Sequence, residues 1–195
     1  DTDDAWWHLA FGRAYAALGT WRLVEDPLLH TAELPPSNGA WAFQVGLYAL
    51  QQQGGFHALR VAHVLVVAGI AGLAWSLLRR ASGSVVFAHA ATAVFCSWYR
   101  LFQLRPQLVS IAAALVLYRL VLEPRDGPSW PRVAAACTLI AAWSNAHALF
   151  MLAPALLVVG ASAPVGAVAQ IGAPRVGAGA SSPPVSSRVP TMATA

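Results

Sequence analysis

The chain has 195 residues and 20.5 kDa, of which 57% are hydrophobic and only 10% charged, with a mean hydropathy of +0.57. A soluble globule carries about a quarter charged residues, so this composition excludes an ordinary soluble domain and indicates an integral membrane protein. The net charge is +4, its positive part comes entirely from arginine, and the arginines are dispersed beside apolar blocks, which argues against a nucleic-acid partner.

Charge is uneven along the chain. Residues 1–56 hold six acids against Arg13 and Arg22, and the remainder holds ten arginines against Glu123 and Asp126. Residues 4–19 read as a broad-faced amphipathic helix, with Trp6 and Trp7 suited to the headgroup level and Gly19 as its C-cap. Residues 20–40 carry turn chemistry at Asp26-Pro27 and at Pro35-Pro36-Ser37-Asn38-Gly39. Residues 41–51 read as a second short helix, closed by Gly54-Gly55.

Four apolar stretches follow. Residues 58–78 are about 31 Å long as a helix, enough to cross a bilayer. Residues 85–104 form a second span interrupted by Arg100, and residues 107–122 a shorter third with Arg119 snorkelling at its end. Residues 133–160 carry no charge and are either one tilted helix or two short ones bent around Ser144-Asn145-Ala146-His147, with Pro154 a further break. Beyond residue 161 the chain is almost wholly Ala, Gly, Pro, Ser, Val and Thr, which predicts disorder. Such a tail also fits a truncated or frame-shifted reading frame.

The expected fold is therefore all-α: a polytopic membrane helix bundle (residues 57–160), an outer-face loop carrying amphipathic helices (1–56), and a disordered C-terminal tail (161–195). Arg79-Arg80 and the loop around Arg119, Arg125 and Arg132 mark the cytoplasmic side. The N-terminal acidic segment, the Arg100–Gln107 turn and the Asn145–His147 region then share the outer side.

Three motifs on that side carry chemistry. Asp1-Thr2-Asp3-Asp4 places three carboxylates in four residues, suited to general-base work or a divalent cation, or else to a solvated helix start. Arg105-Pro106-Gln107 offers a planar guanidinium for phosphate, or an interfacial arginine anchored among lipid headgroups before a helix-starting proline. Trp143-Ser144-Asn145-Ala146-His147 puts polar groups inside an apolar block, facing either a cavity or a neighbouring helix. His63 and His89 lie in apolar spans, where bonds to a neighbouring helix outweigh haem ligation. Cys96 and Cys137 read as small buried hydrophobes, and no cysteine-based metal spacing is present.

In order along the chain, Asp1-Thr2-Asp3-Asp4-Ala5-Trp6-Trp7-His8-Leu9, Gly12-Arg13, Asp26-Pro27-Leu28-Leu29-His30-Thr31 and Trp41 resemble the first outer loop of bacterial GT-C-type membrane glycosyltransferases. Arg105-Pro106-Gln107-Leu108 and Trp143-Ser144-Asn145-Ala146-His147 resemble two later segments of the same proteins, and the resemblance covers about residues 1–155. It implies a multi-pass protein of the bacterial inner membrane that moves a sugar from a polyprenyl-phosphate donor to an acceptor on the periplasmic face. Under it, Asp1 or Asp3 is the catalytic carboxylate and Asp26 a second acidic position. His8, Arg105, Gln107, Asn145 and His147 are then substrate-binding residues. No cofactor is required by the resemblance, although a divalent cation is compatible with the acidic cluster.

The chain departs from the family in three ways. A transmembrane helix expected before Asp1 is missing. Ala42-Phe43-Gln44 stands where such sequences often carry a His-Glu pair, and only four or five spans are present. These departures suggest the N-terminal part of a transferase, or alternatively a non-catalytic membrane scaffold or degenerate transferase-like partner.

Overall fold

The computed structural model describes residues 3–26, 28, 36, 39–124 and 127–162, and among these the structure is helical with no strand. Asp1, the Asp3 side chain, Arg125, Asp126 and the 163–195 tail lie outside the described residues.

Helix α1, Asp3–Leu18, ends where Gly19 takes the left-handed conformation (φ 60°) that a side chain would resist. It crosses the first part of α2, Trp41–Ser82, burying Phe11, Tyr15 and Leu23 beside Trp41 and Val45, and Leu9 with Leu47 and Leu59. The crossing is close: a Cβ on Gly12 would lie 2.2 Å from the Gln44 carbonyl oxygen. The tip of α1 keeps Trp6 exposed, its ring 4.9 Å from that of Phe56.

Gly54-Gly55 does close the first segment of α2, but as a bend and not as an end. Gly54 (φ −143°, ψ 17°) and Gly55 (φ 61°, ψ −156°) leave helical geometry, and the helix resumes to Ser82. Trp41–Ser82 is long and apolar enough to cross a membrane, and only 11% of its most apolar 18-residue window is buried, which sets it apart from the core helix of a soluble protein. Val64 and Leu65 are each 66% exposed.

A tight turn follows. Gly83 (φ 67°) sends its N–H to the Arg79 carbonyl, and Ser84 Oγ accepts the Phe87 N–H at the start of α3, Val85–Cys96. This helix stops earlier than the sequence suggests. Ser97 Oγ bonds back to the Val94 carbonyl at 2.6 Å, and Tyr99–Phe102 tightens into a 3-10 turn.

Helix α4, Pro106–Leu117, continues as a π-helical turn over Tyr118–Leu122, closed by Glu123 N–H on the Tyr118 carbonyl. The residue-133–160 stretch resolves into the second of its two expected forms. Helix α5, Trp130–Ala146, stops at His147, which is extended (φ −164°, ψ 140°); a 3-10 turn leads into α6, Leu152–Ser162. Pro154 does not break the chain again, because it sits in the first turn of α6, where no N–H is needed.

Helices α4, α5 and α6 enclose Leu117, Trp143 and Ala153, all essentially inaccessible. A second cluster joins Ile70, Leu101 and Leu108, with Cys96 packed at its edge. Cys137 is exposed and not buried, and both thiols are free. The fold thus has two poles. Arg105 caps the start of α4 and Arg119 lies in the π-helical turn that continues it, about 21 Å along the axis.

Candidate functional site

At the Arg105 pole, four segments meet around a cavity of about 310 Å³, lined by His8, Gly39-Ala40, Arg105-Pro106-Gln107 and His147-Ala148. Each side chain reaches it for a local reason. His8 lies on the face of α1 that meets α2. Its Nδ1 sits 3.2 Å from Gln44 Nε2, and its ring stands edge-on to Phe43 at 5.5 Å. An amide nitrogen can only donate, so Nδ1 is the acceptor and the imidazole proton resides on Nε2.

Arg105 is held in extended conformation (φ −132°, ψ 159°), as the following Pro106 requires, and caps α4 with its carbonyl. Gln107 and Ser110 are three residues apart on α4 and share a face. Gln107 Oε1 is buried with no hydrogen-bond partner among the described residues, as is Gln44 Oε1. His147 is presented by the break itself. Its backbone N–H still bonds Trp143, its carbonyl accepts from Phe150, and Nδ1 lies 2.7 Å from Ser110 Oγ. Burial lowers the His147 pKa below that of an ordinary histidine, favouring the neutral ring.

Asn145 takes another role. Its Oδ1 accepts the Trp41 indole N–H at 3.1 Å, tying the end of α5 to the start of α2, and its amide donates to Ala141. It borders the site without lining it. Asp26 is also apart from the cavity: Oδ1 accepts the Leu28 N–H at 2.8 Å in a local turn. Asp1 and the Asp3 carboxylate lie outside the described residues, although the Asp3 backbone begins α1.

Among the described lining residues, Arg105 supplies the formal charge, and no carboxylate joins it. No group of three potential metal ligands occurs among the described residues. The histidines weighed for haem are engaged elsewhere: His63 Nε2 bonds the Leu101 carbonyl at 2.8 Å, and His89 Nδ1 bonds the Val85 carbonyl of its own helix.

Two residues that shape this site are not among the site residues expected from sequence, Gln44 having entered only as a departure from the resembling family. Ser110 is 37 positions from His147, and Gln44 is 36 from His8. A serine three places after Gln107 in an otherwise apolar helix is the signal that points to Ser110. The chain matches no protein-family model, no curated protein and no solved structure.

Proposed function

We propose that the chain is a GT-C-type glycosyltransferase, or the N-terminal part of one, embedded in the bacterial inner membrane by several helices, with the Arg105 cavity receiving the phosphate-sugar portion of a polyprenyl-phosphate donor on the outer face. One observation carries this reading: Arg105, two histidines (His8 and His147) and Gln107 line one cavity at the mouth of the helices. The guanidinium suits a phosphate by charge and by its two-pronged geometry.

In the reaction, a carboxylate takes the proton of the acceptor hydroxyl, whose oxygen bonds to the sugar C1. The C1–oxygen bond to phosphate breaks, and the cation holds the leaving polyprenyl phosphate. Asp1 and Asp3, the carboxylates that the resemblance singles out, are the candidates for the base. Transfer of radiolabelled sugar from polyprenyl phosphate, in the full-length protein, tests this. Asp1→Asn and Asp3→Asn both keeping wild-type rates removes the assigned base.

A second reading has one observation in its favour. No carboxylate lines the cavity among the described residues, and buried Gln44 stands where the resembling family often has an acid. A membrane scaffold that binds the lipid phosphate without transfer fits this. Donor binding with no turnover by the full-length protein would select it.

A further inference from the structure

We propose a second anion site at the opposite pole: the cavity between Arg80, Arg119 and Arg132 takes a phosphate group, of which an anionic lipid headgroup is one source and free phosphate another. This cavity, about 180 Å³, is also lined by Glu123, Val116 and Leu120. Its three guanidinium groups come from three elements: the end of α2, the π-helical turn after α4, and the start of α5. Glu123 pairs with Arg80 at 3.5 Å, and Arg119 is steered toward Ser76 Oγ at 3.4 Å.

Among the described residues the lining thus carries three positive charges against one negative. Half-exposed arginines of like charge gain by separating into water, yet these converge on one concavity. The π-helical turn contributes by rotating Arg119 relative to a continuous α-helix. A phosphate balances the excess and accepts from several guanidinium donors at once. Val116 and Leu120 give the cavity an apolar wall, against which the glycerol and upper acyl chain of a lipid would lie. Trp130, 85% exposed two residues before Arg132, suits the same headgroup level.

The test uses the full chain in two arms. In nanodiscs of phosphatidylcholine with a minor share of phosphatidylglycerol, lipid retained by the protein is extracted and quantified. In lipid-free detergent, inorganic phosphate is titrated while thermal unfolding is followed. Retention enriched in phosphatidylglycerol, without an effect of phosphate, identifies a headgroup site; stabilisation by phosphate identifies a site for the free anion. In whichever arm responds, Arg132→Gln should weaken binding about tenfold, as expected for one charge-assisted contact. Glu123→Gln should strengthen it. The lipid arm rests on the membrane placement proposed above, but the phosphate arm needs no bilayer, so failure of that placement is distinguishable. No response in either arm, or variants that do not move binding in opposite directions, overturns the site.

Discussion

Ser110 Oγ stands between two groups, 2.7 Å from His147 Nδ1 and 2.8 Å from the Trp143 indole nitrogen. The indole can only donate, which makes the serine oxygen its acceptor, and the same hydroxyl is within hydrogen-bond distance of Nδ1. One hydroxyl on α4 thereby orients the histidine at the break and satisfies a tryptophan that is 1% exposed.

Ser110→Ala should therefore cost more than one ordinary hydrogen bond. It strands the indole N–H and frees the imidazole to rotate, a loss of about 1–3 kcal/mol for the buried donor alone. Thermal unfolding should show the destabilisation, while Ser110→Thr, which keeps the oxygen, should recover much of it. An unchanged midpoint in Ser110→Ala would remove the bridge from the account.

The lowered His147 pKa has a pH signature. The folded state releases this proton more readily than the unfolded chain, so in the window below 6.5 the unfolded state binds more protons. Stability from this group is complete above that value and declines as pH falls through the folded pKa. Wild-type protein should lose more stability between pH 7 and lower pH than His147→Gln does. Parallel curves for the two would place the histidine in an ordinary aqueous environment.

Much of the architecture is legible in the residues themselves. The αL glycine at position 19, the Gly54-Gly55 bend and the break ahead of His147 each follow from local chemistry. That Arg105 and His147 share a pole follows from counting helix reversals. What local chemistry hides is length and partnership. The α3 helix stops because Ser97 turns its hydroxyl onto Val94, and an apolar run of residues gives no warning of that. The π-helical end of α4 likewise depends on packing against α5 and α6. Gln44 and Ser110 acquire their hydrogen-bond partners only when distant segments meet, so the sequence marks their positions without giving their roles.

Gly12 and Gly46 provide a matched pair. A Cβ at Gly12 would enter the α2 backbone, whereas one at Gly46 meets nothing within 4 Å. Gly12→Ala should destabilise by roughly 1–3 kcal/mol or more, since backbone must move to admit it. Gly46→Ala should be neutral or stabilising by about 0.5–1 kcal/mol through helix propensity. Chemical or thermal unfolding compares them directly; equal effects would mean that α1 does not seat against α2 at Gly12.

The proposed orientation can be checked without substrate. With Cys96 and Cys137 replaced by alanine, single cysteines at Ser37 or Asn38 should react with a membrane-impermeant thiol reagent on spheroplasts. Cysteines at Ser82 or Asp126 should react only after lysis. The reverse pattern would put the Arg105 cavity on the cytoplasmic side and end the periplasmic assignment.

Arg105 is the sharpest discriminator of the donor-binding proposal. A phosphate held by two guanidinium N–H groups depends on geometry as well as charge, and a lysine offers only a point donor. Arg105→Lys should weaken donor binding noticeably and Arg105→Ala nearly remove it. Losing one charge-assisted contact costs roughly 1.5–3 kcal/mol, or on the order of ten- to a hundred-fold in affinity. An arginine that merely reaches for headgroups needs only a long stem and a cation, so lysine would replace it with little loss. Isothermal titration with a short-chain polyprenyl-phosphate sugar separates the two cases. Wild-type affinity in both variants would leave Arg105 as a membrane anchor that also caps α4.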